Sequence, residues 1–188
     1  MRIPKSDGPV RALVLIDLQE DFFRAPGLRE KRSAVVRAVQ RWVDWARDHD
    51  MPVVEVLTVL PQDTSAWALN MREDDQPVVL EGTAGAEPLT ELDPRPDVTV
   101  VKRRDDAFHG TDLLQRLREL DVDEIVLAGV STEACIAVTA AAAYAHDLRV
   151  WIAEDAVASA DAQAHDAALL WLKQQYRQDV VSPEELAD

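Results

Sequence analysis

Three residues whose types can make and break acyl bonds stand at comparable places in this chain: Asp17, Lys102 and Cys135. Each closes or shortly follows an apolar run. Cys135 is the only cysteine, so no internal disulfide can form. It sits in Gly129-Val130-Ser131-Thr132-Glu133-Ala134-Cys135, between a strand-like run and an alanine-rich helical run. A thiol in the first turn of a helix meets unpaired backbone N–H groups and the positive end of the helix dipole, and both favour the thiolate. Cysteine is also among the most buried residue types and packs as a small hydrophobe, so that segment alone reads more simply as core. The base and the amine are what change the reading. An acid, an amine and a thiol at separate strand ends form a candidate reaction centre if the fold brings those ends together.

The elements that must do so are visible in the hydropathy pattern. Val10 to Leu18 is nearly continuous apolar sequence, as in a strand buried on both faces, and Asp17 falls at its carboxyl end. Residues 30–50 carry Val35, Val39, Trp42, Val43 and Ala46 at helical spacing. Val53 to Val59 predicts a second strand, and 60–80 has no clear period, which marks it as a long functional loop. Glu81 to Gly85 reads as a turn, followed by a short helix to about Leu92 and a break at Pro94 and Pro96. Val98 to Lys102 is a third strand, ended by the lysine. A helix bearing Leu113, Leu114, Leu117 and Leu120 leads to a fourth strand at Ile125 to Gly129. Thr132 to His146 predicts a helix, Leu148 to Ala153 a fifth strand, Asp161 to Gln175 a helix, and Asp179 to Val181 a short sixth strand. Strands alternating with helices predict an α/β, Rossmann-like, mostly parallel sheet with helices on both faces, in one domain over 1–188. Ligands of such sheets lie beyond the carboxyl ends of the strands.

Composition narrows the function classes. The chain has 188 residues, 47% of them hydrophobic, enough for one sizeable core. Its formal charge of -15 repels phosphate backbones and anionic membrane surfaces, so neither nucleic acid nor membrane is an expected partner. Met1 to Pro9 lacks the pattern of a targeting segment, and no run reaches the roughly 18 apolar residues of a membrane span. A cytoplasmic protein acting on a small molecule is the expectation. The apolar, alanine-rich 134–145 helix needs cover on more than one side, which points to a homo-oligomer.

The blocks Asp17-Leu18-Gln19-Glu20-Asp21-Phe22, Lys102 with Asp106-Ala107-Phe108-His109-Gly110-Thr111-Asp112-Leu113, and Gly129 to Cys135 together resemble the isochorismatase-like cysteine hydrolases. Glu81 to Glu87 and Glu154 to Ser159 are similar to further segments of that family, in family order. The resemblance runs from about residue 10 to 175. It implies a triad in which Asp17 is general base and later acid, Lys102 stabilises anionic partners and Cys135 is the nucleophile. It also implies a non-proline cis peptide between Val130 and Ser131, and an oxyanion hole from the backbone N–H groups of Ser131 and Cys135. The implied chemistry is an acyl-thioester intermediate on an amide, ureido or lactam carbonyl, and family members commonly form dimers or tetramers.

Two features divide the family. Its metal-dependent nicotinamidases carry Asp-x-His and a further His after the second strand, whereas residues 57–80 here hold Asp63, Asp74 and Asp75 but no histidine. His49, His109, His146 and His165 fall in or beside helices, so no catalytic metal and no cofactor are expected. Isochorismatases proper cleave a vinyl ether and can lack the cysteine. That reaction, and a non-enzymatic redox-sensing binder using Cys135, remain alternatives. For substrate contacts, Phe22 matches a family pocket position but reads equally as core. Trp67 could form a stacking wall or anchor the aperiodic loop, and Gln19 could orient Asp17, contact substrate or simply turn the chain. Arg103 and Arg104 could clamp a carboxylate, though adjacent charges read first as a solvated face. Asp155 reads as a turn or capping residue at the end of the fifth strand, and Glu133 is expected to face solvent.

Overall fold

The computed structural model describes residues 8–187. The reading of Met1 to Pro9 as free of a targeting segment therefore falls largely outside the described residues. Six strands, β1 (Arg11–Ile16), β2 (Val53–Thr58), β3 (Val98–Lys102), β4 (Glu124–Val130), β5 (Arg149–Ala158) and β6 (Val180–Val181), form one parallel sheet. Their order is β3-β2-β1-β4-β5-β6, so the chain steps outward from β1 to one edge, then returns beside β1 and steps to the other. The helices are α1 (Pro26–Asp48), α2 (Leu69–Glu73), α3 (Leu113–Glu119), α4 (Ala137–Ala145), α5 (Ala162–Tyr176) and α6 (Pro183–Ala187). The Rossmann-like α/β expectation holds, and the order creates a crevice where the two halves diverge, between the carboxyl ends of β1 and β4.

Strand β1 shows why its sequence is apolar throughout. Successive strand side chains point to opposite faces. Ala12, Val14 and Ile16 pack with Leu113 and Leu117 of α3, Ala140 of α4 and Leu172 of α5. Leu13 and Leu15 pack instead with Val35, Val39, Trp42 and Val43 of α1 and Leu186 of α6. With both faces covered, each large aliphatic side chain contributes about 1.5–3 kcal/mol of burial free energy, which makes β1 a rigid platform for the polar residue at its carboxyl end. Helix α1 begins earlier than its apolar stripe suggests because Pro26 occupies its first turn, where the missing N–H costs nothing.

Three expectations change. The short helix expected up to Leu92 is absent: this segment is a series of turns tied to the exit of β1, with Glu20 N–H donating to Glu87 O (3.0 Å), Asp21 N–H to Gly85 O (3.0 Å) and Leu89 N–H to Leu18 O (2.8 Å). Strand β5 runs on to Ala158 through an irregularity opposite Leu127 and Gly129 of β4. Asp155 lies in that irregularity at φ 59°, exposed and 3.8 Å from Arg41, and is no helix cap. The helix expected from Thr132 opens with one π-type turn, Thr132–Ile136, before α4 begins. On α4, Val138 and Tyr144 stay exposed while Ala137, Thr139, Ala140 and Ala143 are buried. No helix among the described residues is long and apolar enough to cross a membrane.

Candidate active site

The carboxyl ends of β1, β2, β3 and the turn after β4 converge on one buried cluster. Asp17 follows β1 directly at φ 55°, a left-handed conformation that a short polar side chain tolerates. Lys102 closes β3, two strands away. With strands about 4.8 Å apart, its long stem must cross the end of β2 to reach β1. It does so: Lys102 Nζ lies 2.8 Å from Asp17 Oδ2. The same ammonium donates to Cys135 Sγ at 3.4 Å and to Arg104 O at 3.1 Å. Beneath this bridge, Thr58, which closes β2 and pairs with Lys102 in the sheet, donates its hydroxyl to Asp17 Oδ1 at 2.7 Å. Asp17, Lys102, Thr58 and Cys135 are all buried.

Close approach of β1 and β4 depends on Gly129. Its φ is 129°, and a Cβ there would run into the Ile16 carbonyl oxygen. The next peptide, Val130-Ser131, is cis, as the resemblance implies. Ser131 then caps the π-type turn, its carbonyl accepting from the N–H groups of Ala134 (3.1 Å) and Ile136 (3.2 Å). Glu133 points to solvent as expected, and the buried Thr132 hydroxyl bonds His165 Nδ1 at 2.8 Å.

The electrostatics correct one expectation. Burial would push the Lys102 ammonium down, but the Asp17 charge and Cys135 hold it above its ordinary value. Burial pushes the Cys135 thiol well up, and the Asp17 charge pushes it further, with Lys102 opposing only in part. The thiol is therefore biased toward its neutral form beside the Asp17–Lys102 pair. Proximity to a helix start does not outweigh near-complete burial next to a carboxylate. A thiol so placed needs a base to take its proton, and the carboxylate of Asp17 belongs to the same cluster.

Cys135 opens onto a cavity of about 220 Å³ lined by Phe22, Thr58, Leu60, Ala68, Asn70, Met71, Val78, Val79, Arg103, Arg104 and Asp105. The isochorismatase-domain family model matches residues 11–184. The chain belongs to the isochorismatase family. A probable isochorismatase of Pseudomonas chlororaphis is 29% identical over 86% of this chain and 78% of its own length. An isochorismatase family protein from Desulfovibrio vulgaris superposes with a TM-score of 0.86 at 26% identity, over 96% of this chain and 98% of that one. The N-carbamoylsarcosine amidase of Thermoplasma acidophilum superposes with a TM-score of 0.78 at 26% identity, over 94% and 98%.

Within this member of the isochorismatase family, the remaining sequence candidates separate. Phe22, in a short 3-10 turn after β1, lines the cavity. Gln19 does not: it is fully buried, donates to Thr58 O (2.9 Å) and Ala86 O (2.7 Å), and accepts from Thr58 N–H (2.9 Å). It holds the end of β2, and through Thr58 the Asp17 carboxylate, rather than reaching substrate. Trp67 also departs from the substrate-binding expectation. It packs with Leu60, Val79 and Ala86, and its indole N–H donates to Pro61 O at 3.1 Å. Arg103 and Arg104, read first as a solvated face, line the cavity as well as facing solvent.

Several contributors escape a reading of the sequence. Asp21 pins Val79 by accepting its N–H at 2.7 Å, and Val79 sits at φ 47°, rare for a β-branched residue. A Cβ on Gly85 would meet the Asp21 carboxylate, so that glycine makes room for this hold. Asp105 places Oδ1 3.8 Å from Cys135 Sγ. Asp21 and Gly85 have a legible signal, as parts of the block after β1 and of the Glu81 to Glu87 segment, whereas Val79 and Asp105 have none. A family-type metal does not fit the residues present. Asp63 caps its own turn through Ser65 N–H (2.9 Å), His49 stacks on Trp45, and His165 bonds Thr132. Among the described residues no three His, Cys, Asp or Glu side chains converge on one point.

Proposed function

We propose that this chain is a metal-independent hydrolase of a small amide, ureido or lactam substrate, acting on carbon–nitrogen bonds other than peptide bonds through a Cys135 thioester. The observation that carries the reading is the buried chain of contacts from Thr58 through Asp17 and Lys102 to Cys135 at the base of the cavity. Membership of the isochorismatase family, with an amidase among its structural neighbours, supports the bond type. The cavity volume suits a substrate of small-molecule size.

In the first half-reaction the thiol proton passes to the Asp17 carboxylate as Sγ attacks the carbonyl carbon. Lys102 holds both anionic partners close. The backbone N–H groups of Ser131 and Cys135 receive the developing oxyanion, a contribution of about 3 kcal/mol per donor in comparable sites. Collapse breaks the C–N bond, and Asp17 returns its proton to the leaving nitrogen. In the second half-reaction Asp17 takes a proton from water, hydroxide attacks the thioester, and the thiol is restored with release of a carboxylic acid. A raised thiol argues against the redox-sensor alternative, which needs an accessible low-pKa thiolate.

Turnover of a panel of amides, ureides and lactams by wild type and Cys135→Ala tests the mechanism. The substituted protein should lose at least about 10³-fold in kcat, as removal of a covalent nucleophile does elsewhere. Unchanged turnover would overturn the thioester route and favour ether hydrolysis of the isochorismatase type, which needs no thiol.

A further inference from the structure

Three charged residues on the cavity wall take no part in that chemistry. Lys102 points inward from the end of β3, and the chain then turns so that Arg103, Arg104 and Asp105 are exposed along the mouth while still lining the cavity. Arg104 is held in place there. Its Nη1 donates to Ala66 O and to Arg103 O, both at 2.6 Å, and its own carbonyl is gripped by Lys102 Nζ. These bonds engage one of its three nitrogens. Its Nε and Nη2 have no hydrogen-bond partner among the described residues, nor does the guanidinium of Arg103, which only influences the exposed Asp63 across solvent. A guanidinium fixed at one corner with its other donors free is preorganised for a planar anion.

The sign of charge differs along the cavity. Asp105 lies beside the thiol, whereas Arg103 and Arg104 also line the neighbouring hollow with Ser65, Ala66, Val101, His109 and Gly110, on the outer side. A substrate anion next to Asp105 would be repelled, and N–H donors there would be welcome. The chain as a whole carries -15, which disfavours approach of any anion, so two free cations at the mouth are a local exception with a use.

From this arrangement we propose that Arg103 and Arg104 bind a carboxylate on the substrate, so that the substrate class is a small amide or ureide carrying an anionic group about one cavity length from the scissile carbonyl. This deepens the hydrolase reading and rests on it. Its orientation is fixed by charge: nitrogen end toward Asp105 and Cys135, carboxylate toward the arginines. The anion-binding half can be tested without turnover. N-iodoacetyl-β-alanine and its amide both alkylate Cys135 by forming an S–C bond as iodide leaves, and they differ in one charged group, carried several bonds from the reacting carbon. The ratio of their rates cancels any change in thiol acidity. In wild type that ratio should exceed the ratio for N-acetylcysteine amide, and it should fall about fivefold for each of Arg103→Gln and Arg104→Gln, the effect of one charge acting over a few ångströms in a wet site. Arg37→Gln, an exposed arginine on α1, controls for net charge and should leave the ratio unchanged. A wild-type ratio no higher than that of the free thiol, or a fall shared equally by Arg37→Gln, overturns the proposal. Absence of amide turnover with the ratio as expected would sink the hydrolase reading alone.

Discussion

The floor and the wall of the cavity are built on different principles. The floor and the layer behind it consist of side chains at the ends of parallel strands: Thr58 of β2 and Cys135, one turn beyond β4, line the cavity, and Asp17 after β1 and Lys102 of β3 lie buried behind them. Their positions follow from strand registry, which is enforced by two packed faces, and the Asp17 carboxylate, the Thr58 hydroxyl and the Lys102 ammonium are paired with one another. The wall comes from the 60–80 loop and from Arg103 to Asp105, and it is held by single backbone contacts such as Asp21 to Val79 and Arg104 to Ala66. On the proposed reading, reaction type belongs to the floor and substrate choice to the wall. Substitutions in the floor should therefore act on kcat, and those in the wall on KM.

The largest break in that comparison is Asp17→Asn. It removes the proposed base and leaves the Lys102 ammonium buried without its counter-charge, so kcat should fall by roughly 10²–10⁴, the usual contribution of a positioned acid–base group. Stability should drop by about 3–5 kcal/mol for the same reason. Alkylation of Cys135 should move the opposite way. The Asp17 charge helps raise the thiol, so removing it lowers the thiol's folded value, and more thiolate is present at any pH below that value. The midpoint of the alkylation pH profile should lie above the ordinary 9.0 in wild type and shift down in the variant. A midpoint that stayed put or rose would show that Asp17 does not act on the thiol.

Thr58→Val is a smaller perturbation of the floor. It keeps the volume of a buried side chain but withdraws the hydroxyl that donates to Asp17 Oδ1. An unsatisfied acceptor of this kind costs about 1–3 kcal/mol, or up to roughly a hundredfold if the loss falls on the transition state. The loss should appear in kcat with little change in KM. A KM effect alone would place Thr58 with the wall, which it also borders.

The same division explains what can be read from sequence. Asp17 and Lys102 are legible because a polar residue at the end of an apolar strand is conspicuous, and parallel strands put such ends on one side of the sheet. Thr58 is not, since threonine at a strand end is an ordinary β-former. The direction of the thiol shift escapes because it depends on the approach of Asp17, which is 118 positions away in sequence and adjacent only after folding. The expected helix before Leu92 fails for a similar reason: the backbone partners of that segment are Leu18, Glu20 and Asp21, not its own neighbours. Helix α6 does carry a local signal. Ser182 and Glu185 form a reciprocal cap, with Ser182 N–H donating to Glu185 Oε2 at 2.8 Å, in the S-x-x-E spacing.

The finest test of the wall is Trp67→Phe. Among residues of the aperiodic loop, tryptophan is the one most suited to stack on a substrate, yet its ring faces Leu60, Val79 and Ala86 and its N–H is spent on Pro61 O. Phenylalanine keeps most of that packing and loses the hydrogen bond. Stability should fall by only about 0.5–1.5 kcal/mol, the net worth of one such bond, measurable as a small shift in denaturant midpoint. KM should change by less than about threefold, because a ring that anchors the loop from behind alters the cavity only through small displacements. A tenfold rise in KM at unchanged stability would instead mean that the indole meets substrate directly, and the line between anchoring and recognition would have to be redrawn inside the loop itself.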